Sequence, residues 1–198
     1  MALSSDFFAR PTLTVARDLL GQRLVRQVDG QRLSGIIVET EAYIGPGDTA
    51  CHASKGRTPR TEVMFGPPGR AYVYLVYGMY HMLNLVTEAE GFPAAVLIRA
   101  LEPVEGVAHM QSRRQSARPD NLTNGPGKLC RALAIDLGLN NWPVTSGESL
   151  WLELGAPIAP AGIAAGPRIG INYARPEDRA APWRFWIQGS RAVSRPAV

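Results

Sequence analysis

The pattern of hydrophobic and polar residues predicts two β-hairpins in the first half of the chain. Alternation, or a high content of β-branched and aromatic residues, marks five strands, over residues 22–28, 32–43, 71–77, 80–87 and 94–100. Asp29-Gly30 separates the first two strands and is a strong signal for a two-residue turn. Gly78 separates the next pair. Strands joined by such short turns predict an antiparallel sheet.

Helices are predicted beside these strands, over residues 12–20, from just after Pro103 to about Arg114, and over 126–135. Late strands are predicted over residues 149–154, 168–172 and 184–189, and residues 44–70 form a long loop. The predicted fold class is therefore α+β. We expect a single mixed domain over residues 1–198, with a largely antiparallel sheet and flanking helices.

Composition narrows the function classes. Hydrophobic residues make up 45% of the chain and charged residues 19%, which suits a globular protein. The formal net charge of +4 favours a polyanionic partner such as nucleic acid. Cys51 and Cys130 form no CxxC motif, and the three histidines form no metal-type pair, so no metal is expected. Without a signal peptide or a long apolar run, we expect a cytoplasmic protein that does not contact membranes.

Two carboxylates enter an otherwise apolar strand, IIVETEAY, over residues 36–43. Strand periodicity predicts that one face carries Ile37, Glu39, Glu41 and Tyr43, and that the other carries Ile36, Val38, Thr40 and Ala42. Burying a carboxylate is costly unless it is paired or used in chemistry. The strand therefore either ends in solvent or presents a glutamate as a general base.

Four of the six tyrosines, at positions 72, 74, 77 and 80, fall within nine residues. Tyrosine packs poorly in a core unless its hydroxyl finds a partner, whereas its ring can stack on an unpaired base. By periodicity Tyr72 and Tyr74 share a face and Tyr77 points away. Core packing and base stacking both remain open for this cluster.

Two further polar residues interrupt apolar strands. Asn84, in MLNLV, fits either a hydrogen-bonded core amide or a pocket residue. Arg99 ends the run AAVLIR, where it can pair with a glutamate or contact a phosphate. None of these features is decisive alone, but they occur together.

This combination resembles the alkyladenine DNA glycosylase family, also called 3-methyladenine DNA glycosylase. The matching blocks lie at residues 19–26, 35–52, 56–60, 64–65, 72–80, 97–103, 125–130 and 184–190. The segments ETEAY and YVYLVYGMY are highly specific, and the likeness covers nearly the whole chain. The resemblance implies a curved antiparallel sheet and an enzyme that needs no metal or cofactor. It implies double-stranded DNA containing a damaged purine as the partner.

The resemblance also implies roles for individual residues. Glu41 is expected to deprotonate the attacking water, and Arg99 to orient that water or hold a phosphate. Tyr77 is expected to enter the DNA stack in place of the flipped nucleotide. A bifunctional glycosylase would use an amine nucleophile to form a Schiff base. The two lysines, Lys55 and Lys128, lie in glycine-containing loop or helix-start segments, so we expect a monofunctional enzyme. We also expect a monomer, because damage to a single base needs no two-fold symmetric reader.

The expected pocket residues are Tyr43, His52 and Tyr74, which would enclose the flipped base, and Asn84, which would lie at the floor and disfavour guanine. Alkylation at N3 or N7 makes a purine cationic, which strengthens its attraction to tyrosine faces and makes it a better leaving group. The resemblance implies alkylated or deaminated purines as the substrates: 3-methyladenine, 7-methylguanine, hypoxanthine and ethenoadenine.

Two alternatives remain open from the residues. The first is a non-enzymatic nucleic-acid-binding module on the same scaffold, which would keep Tyr77 but would not require Glu41. The second is a hydrolase of ordinary sugar glycosides that uses Glu39 and Glu41 together as a carboxylate pair.

Overall fold

The computed structural model describes residues 2–116, 118 and 121–194 of the chain. The single domain expected over residues 1–198 therefore includes some residues outside those described. Within the described ranges, eight strands form one sheet. They are β1 (Arg23–Val28), β2 (Gln31–Ile44), β3 (Ala71–Val76), β4 (Tyr80–Val86), β5 (Ala94–Glu105), β6 (Leu150–Glu153), β7 (Ile163–Gly166) and β8 (Arg184–Ile187).

Strand β2 is the organising element of the sheet. The main path runs β3-β4-β5-β2-β1-β6, and β8 pairs with both β2 and β7. All of these pairs are antiparallel. On the edge opposite β5, residues 31–36 of β2 pair with β1, whereas residues 39–41 pair with β8. The predicted α+β class with an antiparallel sheet is confirmed.

Both predicted hairpins are present. Asp29 and Gly30 connect β1 to β2 with φ values of 53° and 71°, the left-handed conformation that a two-residue turn of this kind requires. Tyr77, Gly78 and Met79 connect β3 to β4, and the φ values of Tyr77 and Gly78 are 52° and 69°. Tyr77 thus lies in the turn and not in the strand predicted over 71–77. A tyrosine held at positive φ is unusual and marks this turn for attention.

The helices are α1 (Ser5–Phe8), α2 (Thr12–Asp18), α3 (Val107–Arg114), α4 (Pro126–Ala132) and α5 (Pro176–Ala180). Helix α2 contributes Val15 and Ala16 to a core that also contains Leu3, Ile37 and Ile98. The helix predicted from Pro103 begins later, because β5 continues through Glu105. No helix within the described ranges is long and apolar enough to cross a membrane.

One predicted strand is wrong. Residues 168–172, RIGIN, form an irregular segment, and β8 pairs instead with Ile163–Gly166. The alternating side chains resemble a strand, but the Ile169 N–H donates to a carboxylate rather than to a sheet partner. The strands predicted over residues 149–154 and 184–189 are present as β6 and β8. The long loop over residues 44–70 contains two short 3₁₀ helices, His52–Lys55 and Glu62–Phe65.

Candidate active site

A cavity of about 250 Å³ lies beside β2, β3 and β4. Six of the seven predicted site residues line it: Tyr43, His52, Tyr74, Tyr77, Asn84 and Arg99. Pockets lined mainly by aromatic groups, with a few polar groups converging on them, are typical of small-molecule sites. Residues 169–171, in the irregular segment, and the adjacent Tyr173 also line the cavity.

Three aromatic rings form one wall of the cavity. The His52 and Tyr74 rings meet edge to face at 4.5 Å, and the Tyr72 and Tyr74 ring centroids lie 5.3 Å apart. The Tyr72 hydroxyl lies 3.0 Å from His52 Nδ1. Tyr72 and Tyr74 therefore share a face, as strand periodicity predicted. The Tyr72 hydroxyl has the polar partner that core packing requires, and all three rings also line the cavity.

The wall formed by His52 is uncharged near neutral pH. Burial, together with the nearby Arg60 guanidinium, lowers the pKa of His52 to about 4. Burial raises the pKa of Tyr72 to about 12 and also raises the pKa of Tyr74. All three groups thus stay neutral between about pH 5 and 9. A cationic ring entering the cavity meets no charge repulsion from these three rings.

Glu41 lies directly behind the cavity wall and is fully buried. Its Oε1 accepts a hydrogen bond from the Ile169 N–H at 2.7 Å. Its Oε2 accepts from the Tyr43 hydroxyl at 2.8 Å and lies 3.1 Å from Arg99 Nη1. All three partners line the cavity, although Glu41 itself does not. These charge-assisted contacts compensate the cost of burying the carboxylate.

Glu39 shares Arg99 with Glu41 but faces different partners. Its Oε1 accepts from Arg99 Nε at 3.2 Å and from Arg184 Nη1 at 3.0 Å. Its Oε2 accepts from the Ser194 N–H at 2.7 Å. Both oxygens of this fully buried carboxylate are therefore engaged, and Glu39 does not line the cavity. This arrangement gives no support to the two-carboxylate sugar hydrolase.

The alternation of side chains along β2 is interrupted beside Glu39. The pairing of β2 with β5 is irregular on both sides of Glu39. As a result Ile37 belongs to the main core, whereas Val38 packs with Ala100 and Ala192 in a separate cluster. The predicted faces are therefore wrong for Ile37 and Val38, because the irregularity interrupts strict alternation. They hold for Glu39, Glu41 and Tyr43.

Arg168 anchors the segment that delivers the Ile169 N–H. Its guanidinium makes two hydrogen bonds to Asp48, at 2.6 and 2.8 Å, and both side chains are fully buried. It also lies against the rings of Tyr43 and Trp183, at 4.8 and 4.9 Å. Sequence reasoning missed this pair, since 120 residues separate its members. The available signal was a charged residue at the start of an apolar segment.

The tip of the β3–β4 hairpin projects large apolar side chains into solvent. Tyr77 is 86% exposed and Met79 is 65% exposed. Adjacent exposed apolar residues mark an interaction surface. Since Tyr77 also borders the cavity, a molecule bound at the hairpin tip would place part of itself at the cavity mouth.

Comparison with known proteins shows what kind of protein combines these features. A family model for methylpurine-DNA glycosylase matches residues 6–191. The chain belongs to the methylpurine-DNA glycosylase family. It is a DNA glycosylase, a hydrolase of N-glycosyl bonds that acts on DNA in base excision repair. The family resemblance and the enzyme class predicted from the sequence are both confirmed, and the non-enzymatic binding module is not.

Relatives of this glycosylase match it along nearly its whole length. A protein from Methanocella arvoryzae is 56% identical over 196 residues, which cover 98% of this chain and 96% of the relative. A protein from Myxococcus xanthus is 51% identical over 193 residues, covering 98% and 93%. One from Bacillus cereus is 50% identical over 206 residues, covering 98% and 100%. All three carry the provisional name 3-methyladenine DNA glycosylase.

Asn84 is a buried residue of β4 in this DNA glycosylase, and its Nδ2 donates to the Tyr72 carbonyl at 3.1 Å. This bond fixes the amide in the cavity wall. The sequence alternatives for Asn84 were a bonded core amide and a pocket residue, and the side chain is both.

Proposed function

We propose that this glycosylase removes alkylated and deaminated purines, 3-methyladenine first among them, after the damaged nucleotide rotates out of the duplex into the cavity. A base inside the duplex hides its glycosidic bond, so excision requires extrusion. The name shared by the three relatives supports 3-methyladenine, and the cavity size suits a planar ring system. Hypoxanthine, ethenoadenine and 7-methylguanine are the further candidate substrates.

The base is held by stacking in this proposal. Tyr43, His52 and Tyr74 supply aromatic surface on the cavity wall. Because His52 is neutral near pH 7, the wall attracts a cationic alkylated purine through the tyrosine faces without opposing charge. Asn84, which lines the cavity, disfavours but does not exclude bases with a 2-amino group, such as 7-methylguanine, in this proposal. Tyr77, exposed at the hairpin tip, fills the space that the extruded nucleotide leaves.

Glu41 is the general base of the reaction. A water oxygen attacks C1′ of the damaged nucleotide, its proton passes to Glu41, and the base departs with the electrons of the glycosidic bond. A cationic alkylated purine leaves as a neutral molecule, so the carboxylate and one water suffice. A neutral base such as hypoxanthine leaves as its anion, which takes a proton from solvent water. Arg99 orients the water. The Tyr43 hydroxyl donates to Glu41 Oε2, and we propose that a base entering against Tyr43 displaces this hydroxyl and admits the water.

The observation that carries the proposal is the position of Glu41. Glu41 is a fully buried carboxylate, and all three of its partners form the wall of an aromatic cavity. We further propose that the enzyme acts as a monomer on double-stranded DNA in the cytoplasm, because a single damaged base is an asymmetric target.

The test is a single-turnover assay with duplex oligonucleotides that carry one hypoxanthine or one ethenoadenine, alongside release of 3-methyladenine from methylated DNA. Glu41→Gln keeps the side-chain shape and removes the base. We expect its rate to fall by about 10²–10⁴-fold while lesion-DNA binding persists. Glu148→Gln, the same change at an exposed residue remote from the cavity, is the matched control and should retain the full rate. A Glu41→Gln enzyme as fast as this control would refute the role of Glu41.

A further inference from the structure

The side chains behind Arg99 form a second, fully occupied polar cluster that the proposed chemistry does not use. It consists of Glu39, Arg184 and Ser194, and it contacts Arg99 from the side away from Glu41. The matched family region ends at residue 191, three positions before Ser194. This residue belongs to the segment that follows β8, and it nevertheless reaches a strand 155 positions earlier in the chain.

Every arm of the Arg99 guanidinium has a separate partner. Nη1 faces Glu41 at 3.1 Å, Nε donates to Glu39 at 3.2 Å, and Nη2 donates to the Ser194 hydroxyl at 3.3 Å. The side chain is only 8% exposed. A free arginine side chain samples many rotamers. Three partners in three directions restrict the Arg99 guanidinium to one orientation.

Glu39 is itself fixed on both oxygens. Arg184 Nη1 donates to one and the Ser194 N–H to the other. The cluster therefore pairs two carboxylates with two guanidiniums: Glu39 contacts both Arg99 and Arg184, and Glu41 contacts Arg99. A buried ion pair of this kind is weak evidence for added stability, because desolvation offsets much of the attraction. The geometry of the cluster is better suited to orienting the Arg99 guanidinium than to stabilising the fold.

We propose that Glu39, held by Arg184 and by the backbone of Ser194, is a positioning residue that keeps the Arg99 guanidinium aligned with Glu41. This inference rests on the proposed function of Glu41 and adds three residues, Glu39, Arg184 and Ser194, to the same site. Glu39 touches neither the cavity nor the reacting atoms and acts through Arg99 alone. A small misalignment of a catalytic group lowers the rate substantially, whereas binding of the lesion depends on the aromatic wall.

A double-mutant cycle on the full-length enzyme tests this chain of contacts. The variants are Glu39→Gln, Arg99→Gln and the two combined, assayed by single-turnover excision of hypoxanthine and by binding of the same duplex. We expect Glu39→Gln to lower the excision rate by about 10–100-fold with binding changed less than about twofold. The combined variant should be no slower than Arg99→Gln, because residues acting through one group are not additive.

Ser194→Ala provides a milder variant in case Glu39→Gln does not fold. It removes the acceptor of Arg99 Nη2 and leaves the N–H that binds Glu39. We expect a rate loss of a few fold that disappears in the Arg99→Gln background. Ser190→Ala, in the same segment but without a contact to Arg99, is the control and should keep the full rate. Thermal unfolding establishes that each variant is folded.

The outcomes separate this inference from the proposed function. If Glu41→Gln keeps its activity, the proposed function fails and the positioning role fails with it. If Glu41→Gln is inactive but Glu39→Gln and Ser194→Ala excise at the wild-type rate, only the positioning role is refuted. Losses that multiply in the combined Glu39→Gln and Arg99→Gln variant would likewise refute it, because Glu39 would then act without Arg99.

Discussion

Replacing Asp48 by asparagine tests whether the ion pair with Arg168 holds the cavity wall in place. Asp48 accepts two hydrogen bonds from Arg168 and two from backbone N–H groups, of Ala50 at 3.0 Å and Ile44 at 3.3 Å. Asparagine keeps the shape but removes the charge, and its NH₂ group faces donors. The variant thus leaves the Arg168 guanidinium buried without its counterion.

The expected magnitude follows from the burial of this pair. Removing one partner of a fully buried ion pair costs about 3–5 kcal/mol. For a protein of this size, 1 kcal/mol corresponds to about 2–4 °C in the unfolding midpoint. Asp48→Asn should therefore lower that midpoint by about 6–20 °C. Urea unfolding followed by both fluorescence and circular dichroism gives the free energy, provided that the two probes coincide.

Asp29→Asn is the matched control for this measurement. Asp29 also pairs with an arginine, Arg113 at 3.1 Å, but its side chain is 78% exposed. An exposed pair contributes about 0–1 kcal/mol, and asparagine suits the turn conformation at this position. If Asp48→Asn were no less stable than Asp29→Asn, the buried pair would not be the anchor described above and the reasoning would be wrong.

Two further predictions concern the cavity and its mouth. Because the pKa of His52 is about 4 in the folded protein and about 6.5 when unfolded, the unfolded chain binds the proton first as pH falls. The free energy of unfolding should therefore drop by ~3 kcal/mol between pH 6.5 and pH 4, and His52→Gln should lack this component in urea titrations at both pH values. Tyr77→Ala should leave thermal stability nearly unchanged but weaken binding to lesion-containing duplex by about tenfold in fluorescence anisotropy, and unchanged binding would contradict its role in the DNA stack.

Local sequence signals were sufficient for the hairpins and for most of the cavity. Asp29-Gly30 and the Tyr77-Gly78 turn act over a few residues, so their geometry follows from the conformational preferences of those residues. The tyrosine cluster on β3 and the glutamates on β2 follow from strand periodicity. The family resemblance then assigned roles that residue types alone left open.

Contacts between distant parts of the chain had no such signal. The Ile169 N–H reaches Glu41 across 128 residues, and this interaction replaced a strand that the local pattern favoured. The irregularity beside Glu39 lies in the pairing of β2 with β5, which no property of the β2 residues alone reveals. Long-range pairing of this kind is decided by the whole sheet and not by local propensity.

The distance in sequence between these partners has a consequence during synthesis on the ribosome. The strand that carries Glu39 and Glu41 emerges before Arg168, Ile169 and Ser194. A nascent polypeptide that stops short of Arg168 contains the proposed general base but lacks the Ile169 N–H that binds its carboxylate. Copies that stop there should therefore lack the assembled form of the proposed hydrolytic centre and should create no abasic sites in the genome.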